Sequence, residues 1–432
     1  MERRVMSKLD AYRDPTAKPI PKTMKAVMLS GVGFEHLAVE QVPVPEPGPN
    51  QLLARVDAAG VCTSILKLLA QGPDHTFING WDLGRYPVIL GDEGSVTLVK
   101  IGQALRGEYE VAQRFGIQPA VDVAPINHRD RYRHGGEGMN KVAVGYTLPG
   151  NLAEYILIPE EVLEGRCLLP LPDQNLPYFA VSMAEPISCV YSAQDRQIHL
   201  YKKNPFAPRV PKLGMLEGGV TVVIGAGSMG RMHVEMAMRF KPKAIIVADL
   251  LQERLDIVTR LLADKARSLG VELLPVQSAE LEATLKRASN GRGADDIVLA
   301  VGIQKVQQAA LKLLGPGGVA NLFGGLPRGQ HTLEVDGIAV HYDEIKLVGS
   351  SGGQPSDMAA TLQAIADGDI DPGNYVYGVG SLDHAPHVLD LIKQAKVDGK
   401  VILYPHADVA ELAPVEHWSV EQEEALLEEH LR

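Results

Sequence analysis

The sequence predicts an α/β protein of two domains, one rich in β-strands and the other built on a doubly wound parallel sheet. At 432 residues the chain is too long for a single compact core. Up to about residue 185, short strands alternate with Pro- and Gly-rich turns, which is typical of an all-β unit. From residue 219, near-continuous apolar strands alternate with helical segments, which favours a parallel sheet covered on both faces.

Changes of pattern along the chain predict its domain boundaries. The β-rich domain takes residues 24–187 and 352–405, because short strands and a last KVILYP strand lie on either side of the parallel-sheet region. That region takes residues 188–351. An N-terminal extension over 1–23 and an acidic helical tail over 406–432 complete the chain.

One polar segment, 195–217, separates the two patterns. It contains several prolines and four cations, Lys202, Lys203, Arg209 and Lys212. A solvated connecting loop is the expected structure, and a loop that contacts an anion is the alternative.

Composition excludes several classes of partner. The formal net charge of −11 argues against binding to nucleic acid or to an anionic membrane surface. Three cysteines form no spaced framework, and no apolar run is long enough to cross a bilayer. Residues 1–23 lack the apolar core of a secretory signal. We therefore expect a cytoplasmic protein that acts on a small molecule.

A glycine-rich turn opens the parallel-sheet region. GAGSMG, residues 225–230, follows the strand VTVVI and begins a helix. Glycines at this spacing allow the tight turn, let the backbone approach a pyrophosphate and permit close packing of helix on strand, and the helix N-terminus then faces the phosphates. Strand, glycines and helix together predict a Rossmann dinucleotide site.

An acid at the end of the next strand predicts which dinucleotide binds. Asp249 lies 19 residues after Gly230, where a carboxylate holds the ribose hydroxyls of NAD and repels a 2′-phosphate. Its structural alternative is a cap for the following helix. Arg254 offers a contact for a 2′-phosphate, but we expect it on a solvated face, so NAD is predicted. The predicted cofactor-binding residues are Gly225, Gly227, Ser228, Met229, Gly230, Asp249, Arg254 and Val301.

Two adjacent carboxylates in an apolar run form the second unusual feature. PVILGDEGSV places Asp92 and Glu93 between glycines where a buried strand is expected. Carboxylates are very costly to bury without a partner. The sequence therefore predicts that another group holds this pair.

Two other stretches offer suitable groups. Cys62 ends the strand QLLARVDAAGV, and Ser64 follows it by two residues. Glu185 precedes Pro186 in AEPISC, where we expect a helix to begin. Singly, each has a structural explanation: a small buried hydrophobe, a turn residue and a carboxylate that favours a helix dipole.

Together these motifs resemble the zinc-containing medium-chain dehydrogenases, the family of alcohol, sorbitol and threonine dehydrogenases. The resemblance runs from about residue 24 to 404 and implies a GroES-like β-rich catalytic domain beside the Rossmann sheet. It implies that Cys62 is a thiolate metal ligand, Glu93 the glutamate beside the metal and Glu185 a further carboxylate. Ser64 matches a hydroxyl that hydrogen-bonds the substrate oxygen, and Lys67 stands where relatives often carry a relay histidine, so Ser64, Lys67 and Glu93 are the implied catalytic residues.

Asp92 departs from that family, because it stands where relatives have a histidine ligand. Aspartate is a possible zinc ligand, but one thiolate and up to three carboxylates make a weaker Lewis acid that tolerates harder metals such as Mn or Mg. The alternative is that the metal has been lost and that Asp92 and Glu93 belong to a polar network. Since Cys62, Glu93 and Glu185 remain, we expect zinc to be retained.

A further likeness is to the sugar-phosphate branch of the family, the L-sorbose-1-phosphate reductases. CTSILKLLAQGPDH and EPISCV carry this likeness. It makes Lys67 and His75 candidates for contacting the oxygen or phosphate of a substrate, although a solvated lysine and a loop histidine explain them equally well.

These features predict an NAD(H)-dependent oxidoreductase that interconverts a secondary alcohol of a polyol, sugar or sugar phosphate with its ketone, with metal assistance. Two alternatives stay open: a metal-free epimerase or reductase that retains NAD, and a non-catalytic NAD-binding protein. The resemblance also suggests a homodimer or homotetramer joined through the nucleotide-binding sheets.

Overall fold

The computed structural model describes residues 7–122, 126–327 and 329–432, and it divides into two compact units. Unit 1 combines the chain up to Glu185 with Gln354–Arg432, and unit 2 is Pro186–Gly353. The first six residues of the expected N-terminal extension lie outside the described residues. None of the described helices has both the length and the apolar character needed to cross a bilayer.

Unit 1 is built on antiparallel strands. An eight-stranded sheet has the order β10-β6-β5-β3-β20-β19-β21 with β9 also on β3, and a three-stranded sheet has the order β2-β1-β4. Every residue of β3 is buried, so this strand forms the centre of the unit. The strands are β1 (Thr23–Leu29), β2 (Leu37–Pro43), β3 (Leu52–Gly60), β4 (Val88–Ile89), β5 (Glu93–Ile101), β6 (Arg114–Ile117), β7 (Ala120–Asp122), β8 (Lys141–Ala143), β9 (Tyr155–Ile158), β10 (Leu168–Pro170), β19 (Val376–Gly380), β20 (Lys400–Leu403) and β21 (Ala413–Pro414).

Several α-helices lie in unit 1 or begin there. They are α1 (Lys8–Arg13), α2 (Ser64–Gln71), α3 (Glu160–Glu164), α4 (Tyr178–Asp195), α10 (Pro355–Ala366), α11 (Ala385–Lys393) and α12 (Val420–His430). Helix α4 begins in unit 1 and continues into unit 2.

Helix α4 is longer than the sequence predicted. Pro186 lies inside it, so the expectation that the helix begins at the Glu185–Pro186 pair is wrong. An interior proline removes a hydrogen bond and costs about 3 kcal/mol. The helix continues because Val181, Met183 and Ile187 are fully buried on either side of the break.

The two terminal segments pack on each other and on unit 1. The guanidinium of Arg13 on α1 pairs with Glu424 on α12 at 2.5 Å. Glu423 on the same helix is buried, and its carboxylate accepts hydrogen bonds from the backbone amides of Tyr178 and Phe179, each at 2.8 Å. Glu423 therefore satisfies the first amides of α4, which no residue of α4 itself can do.

Unit 2 contains a six-stranded parallel sheet of order β15-β14-β13-β16-β17-β18, which is the doubly wound arrangement. Val223, Val247 and Val298 pack on one face, and Val222, Ile246 and Ile297 pack on the other. The strands are β13 (Val220–Ile224), β14 (Ala244–Asp249), β15 (Glu272–Gln277), β16 (Ala294–Leu299), β17 (Leu314–Leu322) and β18 (Lys346–Gly349). The helices are α5 (Ser228–Ala237), α6 (Gln252–Ser268), α7 (Leu281–Ala288), α8 (Gln304–Ala310) and α9 (Gly337–Tyr342).

A β-hairpin precedes this sheet, where a solvated loop was predicted. Strands β11 (Ile198–Tyr201) and β12 (Val210–Leu213) pair antiparallel over four residues each. The prediction of a loop is therefore wrong for these eight residues. Pro211 and four cations, Lys202, Lys203, Arg209 and Lys212, hid the alternation of a strand pair in the sequence.

Candidate functional site

Strand pairing in unit 1 brings Cys62, Asp92 and Glu93 together. Gly60, at the end of β3, lies opposite Glu93, at the start of β5. Cys62 follows β3 by two residues, and Asp92 directly precedes β5. The thiol sulfur and one oxygen of each carboxylate all lie within 4.8 Å of one another.

Glycine at position 60 leaves room for this arrangement. A Cβ atom at Gly60 would stand 2.0 Å from Glu93 Oε2. Any larger residue would displace the carboxylate, because real Cβ contacts do not approach so closely. Two features therefore position Glu93: the register of β3 against β5, and the absence of a side chain at Gly60.

Each carboxylate has one partner and one free oxygen. Ser64 Oγ donates a hydrogen bond to Asp92 Oδ2 at 2.8 Å, and the ammonium of Lys400 pairs with Glu93 Oε1. Asp92 Oδ1 and Glu93 Oε2 are buried and accept no hydrogen bond from another described residue. Burial, with the charge of Glu93, raises the pKa of Asp92 to about 6.

Lys400 is a site residue that the sequence analysis missed. It is the first residue of β20, which pairs with β3 beside Gly60, and it is buried. Burial alone would lower the pKa of Lys400, but Cys62 and Glu93 reverse that effect and raise it. A lysine at the start of the apolar strand KVIL was the available signal, since a buried lysine needs a carboxylate partner.

Glu185 lies close enough to affect the pKa of Cys62. It is not one of the three residues whose ligand atoms all lie within 4.8 Å of one another. Burial and the charge of Asp92 raise the pKa of the Cys62 thiol well above its usual value, and Glu93 and Glu185 add to that rise. The negative groups also help to keep Lys400 protonated. The cluster of Cys62, Asp92 and Glu93 thus places two carboxylates and a thiol beside one ammonium, that of Lys400.

The donor set fits a divalent metal ion. Thiolate and carboxylate are both zinc ligands, and two buried carboxylate oxygens accept no hydrogen bond from the described residues. A positive ion would also relieve the excess of acidic groups, which otherwise costs free energy at this depth. The residues that would hold it are Cys62, Asp92 and Glu93, with Glu185 beside them.

Tyr146 is a second residue that the sequence analysis missed. Burial and the charge of Asp92 raise the pKa of Tyr146, and the Ser64 hydroxyl works against that rise. The imidazole of His75 stacks on its ring, with centroids 5.0 Å apart. This stacking places His75 on the same side of the site as Tyr146. Lys67, in contrast, is exposed on α2, and no contact between Lys67 and the cluster is found among the described residues. Nothing local marks Tyr146 in the sequence, because it lies 82 residues from Ser64.

The glycine turn in unit 2 is formed as its spacing predicts. Gly225 has a φ of 103°, and a Cβ atom there would stand 2.6 Å from Val301 Cγ1. A Cβ atom at Gly230 would stand 1.8 Å from the carbonyl oxygen of Gly225. Gly227 is the N-cap of α5, which begins at Ser228 and Met229 and whose first amides are open to a phosphate.

Asp249 supports the turn from the end of β14. Its Oδ2 accepts a hydrogen bond from the amide of Ala226 at 2.7 Å, and its Oδ1 accepts one from Leu251 at 2.9 Å. It does not cap α6, since no side chain caps that helix. Arg254 Nη1 lies 3.9 Å from Asp249 Oδ2, and 31% of its side chain is exposed, so Arg254 is partly solvated while it stands beside this carboxylate.

Two family models match the chain in sequence order. Residues 48–173 match the alcohol dehydrogenase GroES-like domain, and residues 228–367 match the zinc-binding dehydrogenase domain. The chain belongs to the zinc-type medium-chain dehydrogenase family, and the predicted family and fold class are confirmed.

Individual relatives narrow the comparison. The mannitol-1-phosphate 5-dehydrogenase of Aliivibrio fischeri is 28% identical over 87% of this chain and 86% of its own length. The L-sorbose 1-phosphate reductase of Klebsiella pneumoniae is 28% identical over 86% of each chain. The crystal structure of 2R,3R-butanediol dehydrogenase from Bacillus subtilis superposes with a TM-score of 0.68 at 20% identity, covering 88% of this chain and 99% of the other.

Proposed function

We propose that the protein is a metal-assisted, NAD(H)-dependent dehydrogenase acting on a secondary alcohol of a polyol, sugar or sugar phosphate. The observation that carries this proposal is the buried cluster of Cys62, Asp92 and Glu93, in which two carboxylate oxygens are left without a donor. Relatives whose names describe sugar-phosphate and polyol chemistry support the substrate class. They favour it over an NAD-retaining epimerase.

Ser64 is the residue proposed to handle the proton. A divalent metal held by Cys62, Asp92 and Glu93 would supply Lewis-acid polarisation of the substrate oxygen, and bound NAD(H) would supply the hydride acceptor or donor. Ser64 Oγ accepts the proton of the substrate hydroxyl while its own proton passes to Asp92 Oδ2, 2.8 Å away. The same hydrogen bond to Asp92 orients the serine oxygen before this exchange.

Glu93, Lys400 and His75 have supporting roles in this proposal. The Lys400 ammonium fixes one oxygen of Glu93 and leaves the other directed to the cluster. His75, stacked on Tyr146, is proposed to lie beside an oxygen or phosphate of the substrate. Lys67, although exposed on α2, is proposed as a more distant contact for a phosphate.

Metal analysis with a substrate panel tests the proposal. Wild-type protein, purified without chelators, should hold stoichiometric divalent metal and oxidise polyols or their phosphates with NAD. Cys62→Ser should lose both, whereas Cys167→Ser should keep both, because Cys167 is a buried thiol outside the cluster. A metal-free wild type that turns over these substrates would refute the metal mechanism.

A comparison of phosphorylated and free polyols tests the substrate class. If a phosphate is recognised, the phosphorylated substrate should have the lower KM, and His75→Ala should reduce the difference. Equal KM values for both forms would exclude the sugar-phosphate assignment and leave the dehydrogenase assignment intact.

A further inference from the structure

A cavity in unit 1 lies apart from the cluster of Cys62, Asp92 and Glu93. Its volume is about 600 Å³, and no residue of that cluster lines it. Its lining comes from the N-terminal extension, from β3 and β9, and from the C-terminal segment after residue 405. We call it the extension cavity. Pockets that hold small organic ligands have volumes of about 300–1,000 Å³, so this cavity is large enough for one.

Arg55, on β3, is the buried cation of this lining. Its Nε donates a hydrogen bond to Asp57 Oδ1 at 2.8 Å, its Nη1 donates to the backbone oxygen of Tyr12, and its guanidinium carbon lies 3.5 Å from the centroid of the Tyr12 ring. Arg55 is only 5% exposed, and its Nη2 is buried and donates no hydrogen bond to a described residue. A buried donor without an acceptor costs free energy, so an acceptor in the cavity would stabilise Arg55.

Asp57 is already occupied and does not supply that acceptor. Its Oδ1 accepts hydrogen bonds from Arg55 Nε and from the Tyr12 hydroxyl, the latter at 3.0 Å. Its Oδ2 accepts one from Thr97 Oγ1 at 2.6 Å. The acceptor for Arg55 Nη2 is therefore either a water molecule or an oxygen atom of a ligand.

Cations outnumber acidic side chains around the extension cavity, although the whole chain has a net charge of −11. The cations of the lining are Lys8, Lys18, Arg55 and Arg432, and its acidic side chains are Asp14 and Glu154. Glu154 is engaged, because it pairs with Arg432 and accepts a hydrogen bond from the amide of Lys25. Lys18 pairs with no acidic side chain among the described residues, and its ammonium donates to the backbone oxygen of Arg432 at 2.7 Å. This balance of charge favours an anionic ligand.

The remaining wall of the cavity includes a neutral imidazole and two phenol rings. Burial, with the charge of Arg55, lowers the pKa of His406 to about 3, so this histidine adds no charge at physiological pH. Its ring centroid lies 5.7 Å from that of Tyr12 and 5.3 Å from that of Tyr155. Ile20 and Leu431 add aliphatic surface. Such a wall suits the carbon body of an organic molecule.

We propose that the extension cavity binds a small organic oxyanion, a carboxylate or phosphate ester whose charged end accepts from Arg55 and whose carbon body lies against Tyr12 and Tyr155. Guanidinium groups recognise the oxygens of both anions through charge-assisted hydrogen bonds. An inorganic anion alone would leave most of the 600 Å³ unfilled. The site is separate from the proposed catalytic cluster, and binding there requires neither metal nor NAD.

Calorimetric titration of the full chain, without added metal or NAD, tests the class of ligand. The probes are benzoate and phenyl phosphate, and the controls are neutral benzamide and inorganic phosphate. We expect at least one of the organic anions to bind one per chain, at least tenfold more tightly than either control, and to raise Tm. Failure of both organic anions to bind would mean that water fills the cavity. Equal affinity for inorganic phosphate would mean an adventitious ion only, and equal affinity for benzamide would mean that charge is not recognised; each of these results would overturn the proposal.

Variants locate the bound probe. Arg55→Lys keeps a charge beside Asp57 but loses the forked donors, so it should weaken binding at least tenfold. Ile20→Trp fills the cavity and leaves the Arg55 network unchanged, so it should abolish binding even if Arg55→Lys does not fold. Val111→Trp, at an exposed position outside the lining, is the matched control and should bind as wild type does.

A variant of the catalytic cluster separates this site from the proposed active site. Cys62→Ser should bind the probe with the affinity of wild type, whatever its metal content and activity. Binding that is lost in Cys62→Ser and kept in Ile20→Trp would place the anion at the catalytic cluster and overturn the proposal. Because the titration uses neither metal nor NAD, its outcome is independent of whether the dehydrogenase proposal holds.

Discussion

Asp92→Asn should stabilise the metal-free protein at neutral and alkaline pH. The fold raises the pKa of Asp92 from 3.8 to about 6, so the folded state holds a proton there more tightly than the unfolded chain does. The contribution of Asp92 to the free energy of unfolding is therefore greatest at low pH, and it is lost as the pH rises through 6. The asparagine amide removes the buried charge and keeps an oxygen for the Ser64 hydroxyl.

The magnitude follows from the two pKa values. One pKa unit corresponds to about 1.4 kcal/mol, so keeping Asp92 ionised in the fold costs about 3 kcal/mol at pH 8 and roughly half of that at pH 5. Asp92→Asn should therefore gain about 3 kcal/mol in the free energy of unfolding at pH 8, and clearly less at pH 5.

Denaturant unfolding of chelator-treated protein at both pH values measures this gain. With metal present the sign should reverse, because a neutral amide oxygen is a poorer ligand than a carboxylate. An Asp92→Asn variant that is less stable than wild type without metal, or whose gain is the same at pH 5 and pH 8, would refute this account of the buried carboxylate.

Other substitutions test the remaining parts of the two sites. Lys400→Met should lower stability by about 3–5 kcal/mol, since it leaves the charge of Glu93 buried without a partner; denaturant unfolding measures this, and a neutral result would contradict the pairing. Gly60→Ala should lower the metal content per chain, because its Cβ would displace Glu93 Oε2; unchanged metal with normal activity would count against that geometry. Asp249→Ala should raise the KM for NAD and narrow the preference over NADP, as steady-state kinetics with both cofactors would reveal; an unchanged preference would mean that Arg254 or the backbone sets it.

Local patterns predicted the elements that depend on neighbouring residues. The glycine turn was recognisable because strand, glycines and Asp249 lie within 30 residues of one another. The hairpin at 198–213 was missed because β12 is exposed along its whole length and β11 buries only the polar side chain of His199, so neither strand has the apolar alternation that marks a strand. The start of α4 was misplaced because Pro186 imitates a first-turn proline.

The candidate metal cluster was predictable only in part. Cys62, Asp92 and Glu93 stand out as polar residues in apolar strands, and pairing of β3 with β5 unites them. Lys400 and Tyr146 join them from distant positions, and no spacing rule connects those residues to the cluster. Composition indicates that a buried carboxylate needs a partner, but only the tertiary fold determines which residue supplies it.

Unit 1 takes its strands from both halves of the chain, and this has a consequence for biosynthesis. Lys400, the partner of Glu93, is synthesised 307 residues after it. At about 5–20 residues per second, this separation corresponds to roughly 15–60 seconds of translation. Glu423, which caps the helix that carries Glu185, emerges later still. Unit 2 is continuous in sequence and emerges entirely within that interval. The nascent chain thus carries an unneutralised carboxylate and an accessible thiol until translation is nearly finished, which is when capture by a chaperone or by a metal ion would matter most.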